Sequence, residues 1–514
     1  KNWIYQFHVQ FSICAVKCVK VFVFRHIDIM KVIAIDLGAT SGRVMTVSHE
    51  NHKFSYIENA RFSNKVYQDK NTLRWDFSYL MENIITGIKK ALKENPDIAS
   101  IGIDTWGVDY GFIKDGKLLN DPICYRDTRT FQSQKELLEK KPFKDIYQKV
   151  GIQNLHFNTI YQLASETIDY ADVDTFLMIP DLIAYHLTGE ARLEETNAST
   201  TSLYSQKEGK MDEELLNLIH VPERIFAKII HPGEEYGKLK KEFLPENIDK
   251  DIPVIAVCTH DTASAVLGSN GKGNFAYISS GTWSLIGTEL DHPIINKESL
   301  EANFTNEIGY HSTIRFLKNT MGMFLCNQVR EDYQKHHIHI EVKDIVSLVN
   351  EANDINTFLN VDDPIFETPG DMLEKVATYC KKTNQQYPKT PGEMLKVIYK
   401  SMALTYKEII AKLESLAKTK IKSILVVGGG NQASILNQYT ASACGIDVIT
   451  GPSEATVLGN SIAQLLSLHD IASVDSARED ITRSIQTKIY HPQETDNWDS
   501  QYDQFILRCL PKEE

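Results

Sequence analysis

The chain has only eight cysteines in 514 residues, and no two of them stand as C-x-x-C. That excludes a zinc ribbon and a thioredoxin-type redox pair. Cys14, Cys18, Cys124, Cys258, Cys326, Cys380, Cys444 and Cys509 are scattered, several in apolar surroundings where a thiol behaves as a small hydrophobe. A reduced, cytoplasmic protein is the simplest expectation. There is no Lys/Arg-rich run, and the net charge is −13, so neither nucleic acid nor an anionic membrane is a favoured partner. No G-x-x-x-x-G-K-[ST] occurs, which disfavours a P-loop kinase, and no H-R-D with D-F-G, which disfavours a protein kinase. No long apolar run occurs either. Val9 to Phe24 is apolar-rich, but Lys17, Lys20 and Arg25 break or flank it, short of the roughly 20 residues that span a bilayer. It has no clear small-residue cleavage site. Because Met30 stands directly before the first strand, residues 1–29 read as a dispensable extension or a start site placed too far upstream. A membrane-surface anchor is the rival reading, weakened by the charges in its apolar face.

What is present is globular material for two domains, since this length exceeds one compact core. Val32–Asp36 is a buried strand by its β-branched run, Leu37–Gly42 a tight turn, and Arg43–Val47 a second strand, with Phe54–Phe62 a third. Asp76–Lys93 has helical spacing, and Ile98–Asp104 and Val108–Ile113 read as strands around Thr105-Trp106-Gly107. Helices are expected near Tyr161–Tyr170 and Asp181–Leu187, and a polar loop at Thr196–Leu203. Strand Val254–Val257 leads to Asp261. Phe275–Ser279 and Trp283–Thr288 then repeat the strand-turn-strand pattern of the N-terminus, which suggests two related halves. Helices over Met394–Ala417, Gln432–Cys444 and Ala455–Leu466, with a strand at Lys422–Val427, complete an α/β reading.

Four short segments carry chemistry. Asp36-Leu37-Gly38-Ala39-Thr40-Ser41-Gly42-Arg43 joins two strands with glycines, exposed N–H groups and hydroxyls that suit phosphate oxygens; Asp36 can hold Mg²⁺ and Arg43 can reach a phosphate. A plain hairpin turn has the same composition. Asp104-Thr105-Trp106-Gly107-Val108-Asp109 puts two acids and an indole in one turn, as a sugar clamp would, or as a buried Trp beside solvated acids would. His260-Asp261-Thr262 offers a carboxylate that, near its ordinary pKa, is ionised at neutral pH and can take a hydroxyl proton. Asp261 or Thr262 can equally cap the helix that follows. Gly428-Gly429-Gly430 follows a strand and starts a helix, allowing close approach of a nucleotide or simply a tight turn. His336, His337 and His339 lie together without a metal-ligand pattern and read as solvated.

In order along the chain, these segments resemble the FGGY carbohydrate kinases over nearly everything after Met30. The resemblance is carried by Ile35–Met45, Ile101–Asp109, Tyr125–Thr130, Phe157–Leu163, Thr196–Ala198, His260–Val266, Ser279–Leu285 and Gly428–Gly430 with Asn437-Gln438. Members usually have a Lys- and Trp-bearing signature where this chain has Phe157–Leu163, which lacks both. That departure counts against the glycerol, xylulose and gluconate kinases of the family. The resemblance implies two ribonuclease-H-like (actin-like ATPase) domains with a cleft between them. The expected divisions are residues 30–266 for the sugar, 267–490 for the nucleotide, and 491–514 as a tail. It implies transfer of the ATP γ-phosphoryl group, with Mg²⁺, to the C1 hydroxyl of L-rhamnulose. Another ketose such as L-fuculose is the first alternative, and an actin-like ATPase the more distant one. It also implies roles: Asp261 as base; Gly107, His260, Asp261, Thr262 and Asn319 against sugar; Ala39, Thr40, Ser41, Gly42, Arg43, Thr282 and Gly429 against ATP. Asp104 and Trp106 join the sugar set from the turn itself. The family has a nucleotide-contacting Gln where Asn327 aligns, with Gln328 beside it, so that position stays open between the two. Some relatives have a Cys pair near the last helix, where this chain has Thr440 and Cys444, so that disulfide is not expected. Partners are a small sugar and ATP, with no nucleic acid and no membrane, in a monomer or small homo-oligomer.

Overall fold

The computed structural model describes residues 29–510, so the reading of residues 1–28 lies outside it. Strands β1 (Met30–Leu37), β2 (Ser41–Glu50) and β3 (Lys53–Ser63) form an antiparallel meander. Helix α1 (Phe77–Glu94), whose Asp76 side chain caps it through the Tyr79 N–H, returns the chain to β4 (Ser100–Thr105), parallel to β1. Much later β5 (Glu235–Lys238) and β6 (Pro253–Ile255) complete the sheet, in the order β5-β6-β4-β1-β2-β3. Helix α2 (Asp261–Leu267) leaves its edge. β1 and β4 are almost wholly buried, and in β1 this shows as the unbroken apolar run Val32–Ile35.

The second sheet repeats the plan. β7 (Phe275–Ser280), β8 (Trp283–Leu290), β9 (Thr305–Ile308), β10 (Ile314–Met321), β11 (Ser423–Val427), β12 (Val448–Thr450) and β13 (Ile489–Tyr490) lie in the order β9-β10-β8-β7-β11-β12-β13. Removing the outer strands β5, β9 and β13 leaves one order and one pattern of directions in both sheets: three antiparallel strands, then two parallel ones. The strand-turn-strand similarity in the sequence is therefore a duplicated fold, of the two-domain kind found in actin-like ATPases. Helices α3 (Phe324–Lys335), α4 (Pro391–Ala417), α5 (Ser434–Cys444) and α6 (Ala455–Ser467) belong to the second half by chain order. Thr390 and Glu393 form a capping box that starts α4, and Pro391 sits at its first turn, where no donor is lost.

One expectation is corrected, and the structure adds to two others. Thr196–Leu203 is not a polar loop but two buried helical turns, Glu195–Ala198 and Ser199–Thr201. Its hydroxyls bond back to the local backbone (Ser199 to Thr196, Thr200 to Asn197, Thr201 to Ala198, at 2.7, 2.8 and 2.7 Å), so a polar string can be enclosed. Within the segment expected as a tail, Thr495–Cys509 is a helix that buries Trp498 and Phe505. And α6, inside the span expected to serve the second half, packs on the first sheet. Gln464 donates to the Ile33 carbonyl at 3.0 Å, and Asn460 donates to Asp104 at 2.6 Å. Gly102 on β4 is where the two meet, since a Cβ there would strike both amides. The six cysteines among the described residues are free thiols.

Candidate active site

A cavity of about 400 Å³ lies between the two sheets, within the size range of small-ligand sites. Asp261 reaches it from the first residue of α2. The position is fixed from below. Thr105 at the end of β4 bridges to His260, and its N–H donates to the Thr259 carbonyl at 2.8 Å. Buried Glu194 accepts the Thr259 N–H at 3.1 Å and the Thr259 hydroxyl. Burial pushes the Glu194 carboxyl up to about 7, although the Thr196 and Thr259 hydrogen bonds oppose it. His260 occupies the N-cap position of α2 without a side-chain capping bond, and Asp261, the first residue of the helix, faces the cavity.

The Asp261 side chain is 28% exposed, accepts the Thr262 hydroxyl at 3.1 Å, and lies 3.5 Å from His260 Nε2. Its pKa is not the ordinary one expected from the sequence. Enclosure raises it and the Asp36 charge adds to that, while His260 and the Thr262 bonds pull it back. A carboxylate shifted this way is a stronger proton acceptor than a solvated one.

Asp104, expected in the sugar set, is fully buried and does not face the cavity. On adjacent parallel strands it is the register partner of Asp36, so the two carboxylates face the same side. Burial and the Asp36 charge push its pKa well up, and its Oδ1 has no partner. Asp36 itself is paired with Arg43, which also holds Glu454, the residue just before α6. Asp109, the other acid of that turn, is a brace. It accepts the indole N–H groups of Trp75 and Trp106 at 2.7 and 3.0 Å and the Gln162 amide at 3.0 Å. Its carboxyl is pushed up to about 6 by burial.

Of the residues expected to face ATP, Ala39, Thr40, Thr282 and Gly429 line the cavity, while Ser41, Gly42 and Arg43 do not. Gly42 is a packing glycine: a Cβ would strike Leu37 and Phe62. Gly428 has φ +78°, a backbone state that favours glycine, and Gly430 lies against Ser280, so the triplet can approach the turn between β7 and β8. Asn327 is exposed on α3, and Gln328 is engaged with Glu331 and the Gly370 N–H at 2.7 and 2.8 Å; neither lines the cavity. α3 points them along its outer side.

On the other side Trp106, Gly107, His260, Thr262 and Asn319 line the cavity as expected. The Trp106 and Trp75 rings pack with centroids 4.3 Å apart at a tilt of 38°. Two residues on, Val108 has φ +67°, rare for a β-branched side chain, and its N–H is held by Thr200 at 3.1 Å. Single-residue reading missed Gln153, Asn158, Thr200 and Glu307, which also line the cavity. Gln153 Oε1 accepts from Asn319 Nδ2 at 3.0 Å, joining the two halves. Tyr125 and Phe157 also line it, and their rings lie 5.5 Å apart.

Residues 31–268 match the FGGY family of carbohydrate kinases, N-terminal domain, and residues 276–468 match its C-terminal domain. The chain belongs to the FGGY family of carbohydrate kinases. Among curated relatives, this FGGY kinase is 41% identical to a rhamnulokinase of Ligilactobacillus salivarius, over 90% of this chain and 95% of that one. It is 38% identical to a rhamnulokinase of Bacillus subtilis, over 93% and 99%. Its fold matches a xylulose kinase of Lactobacillus acidophilus (TM-score 0.76, 16% identity, 93% and 97% covered). It also matches a glycerol kinase of Plasmodium falciparum with ADP (TM-score 0.75, 15% identity, 94% and 99% covered).

The residues present fit Mg²⁺ of the kind carried by a nucleotide. Among the described residues no three acidic, His or Cys side chains converge to enclose a metal. Asp36, paired with Arg43 and beside the buried Asp104, instead offers at most one or two carboxylates to an ion otherwise held by waters and phosphates. Among the described residues no helix is long and apolar enough to cross a membrane.

Proposed function

We propose that this FGGY kinase is a rhamnulokinase, transferring the γ-phosphoryl group of ATP to the C1 hydroxyl of L-rhamnulose to give L-rhamnulose 1-phosphate and ADP. The supporting observation is the identity of 36–41% to curated rhamnulokinases across about nine-tenths of the chain. The site is consistent with the chemistry. Asp261 accepts the proton of the attacking hydroxyl as the oxygen–phosphorus bond forms and the β,γ-bridging bond breaks, leaving ADP. His260, Thr262, Gly107 and Asn319 hold the sugar hydroxyls, with Trp106 as an apolar wall. Ala39, Thr40, Thr282 and Gly429, which line the cavity, receive the nucleotide. Asp36, with Asp104 beside it, would hold the Mg²⁺ that accompanies ATP, which would supply charge neutralisation at the phosphates. Closing the cleft removes water that would otherwise hydrolyse ATP. The enzyme works in the cytoplasm, as a monomer or small homo-oligomer.

The test is ADP release across a panel of ketoses. L-Rhamnulose should give the highest kcat/KM. A preference for L-fuculose would move the assignment to that sugar, and turnover independent of any sugar would replace it with an ATPase.

A further inference from the structure

His260 meets two charged side chains that belong to the other half. Glu307 on β9 and Arg315 on β10 are cross-strand partners in the antiparallel register, so their side chains share a face. Arg315 is completely buried and Glu307 nearly so. Arg315 Nη2 lies 3.1 Å from Glu307 Oε2, and both meet one atom of the histidine: Nδ1 is 3.0 Å from Arg315 Nη2 and 3.3 Å from Glu307 Oε2. Arg315 is itself fixed by donating Nε–H to the Ile308 carbonyl at 3.2 Å. On its other side His260 Nε2 faces Asp261.

We propose that Glu307 and Arg315 are positioning residues that hold the His260 ring with Nε2 turned to Asp261 and the sugar; this rests on the reading of His260 as a sugar ligand. The pair keeps that orientation in either state of the ring. With a proton on Nδ1 the ring donates to Glu307; without one it accepts from Arg315. A buried ion pair contributes little to stability compared with apolar residues of the same volume, so its place against a site histidine calls for a local role. The titratable and charged groups facing the ring are Asp261 from α2, Glu307 from β9 and Arg315 from β10. A ring held this way also favours the Asp261 carboxylate when it is positive, which agrees with the direction of their interaction.

The experiment is a mutant cycle, run with whichever ketose the wild-type enzyme phosphorylates, so a failed L-rhamnulose assignment does not affect it. Glu307→Met with Arg315→Met removes both charges and keeps the volume. The expected result is a loss of about tenfold or more in kcat/KM for the sugar, with KM for ATP unchanged. Placed on His260→Ala, the same two changes should cost less than about twofold, because the ring they act through is gone. Glu307→Gln, which keeps shape, should lie between wild type and the double variant, and carries the same cycle if the double variant does not fold. Equal losses with and without His260, or an unchanged kcat/KM for the sugar, would overturn the proposal.

Discussion

The carbonyl oxygen of Ser264 on α2 occupies the space that a Cβ on Gly459 of α6 would need. The contact is mutual, since a Cβ on Gly268 would strike the Ala455 carbonyl. Two glycines thus let the helix that begins at Asp261 touch a helix from the far end of the chain. Gly459→Ala improves helix propensity by under about 1 kcal/mol but forces rigid backbones apart, at about 1–3 kcal/mol. A net fall in melting temperature is expected by thermal denaturation, together with lower turnover, because Asp261 moves with α2.

The raised carboxyl of Asp261 sets the acid limb of activity. A base works only when ionised, so kcat should be full above its folded-state pKa and fall as pH drops through it. Since enclosure raises that pKa, the limb should lie at higher pH than for a solvated aspartate. A kcat–pH profile measures it. A limb at the ordinary carboxylate value would contradict the enclosure.

Asp109 gives a stability counterpart. Its folded-state pKa of about 6 exceeds the ordinary 3.8, so the unfolded chain releases its proton first. This group's contribution therefore falls as pH rises between those two values, by about 3 kcal/mol at most. Asp109→Asn should flatten the fall in melting temperature from pH 4 to pH 7 relative to wild type, and should lower kcat because Trp106 loses its brace.

Asp104 separates metal from sugar. Asp104→Asn should raise the Mg²⁺ concentration needed for half-maximal rate by about 10–100-fold while leaving KM for the sugar within about twofold. A large rise in sugar KM alone would return Asp104 to the sugar clamp.

Much of this was legible in the sequence because the informative residues lie where strands end. Asp36, Asp104 and Asp261 each follow an apolar run, and the two strand-turn-strand segments announce the duplicated sheets. What stayed hidden was direction. Sequence puts Asp104 two residues before Trp106 but does not tell that one faces Asp36 and the other the cavity, because the strand ends at Thr105 and its face alternation does not carry on to Trp106 in the turn beyond. Thr196–Leu203 looked solvated because its hydroxyl bonds are to its own backbone. Glu307 and Arg315 lie on an edge hairpin with no motif around them, and only the fold brings them to His260. The reach of α6 back to β4 is likewise a tertiary fact, carried by Gly102 and by Asn460 and Gln464, which lie far from it in the chain.

The account depends most on Asp261. With wild-type enzyme and Asp261→Asn compared on L-rhamnulose and ATP, kcat should fall by about 10²–10⁴ while nucleotide affinity, measured by titration calorimetry, stays within about twofold. Turnover close to wild type in a folded, ATP-binding variant would contradict the mechanism.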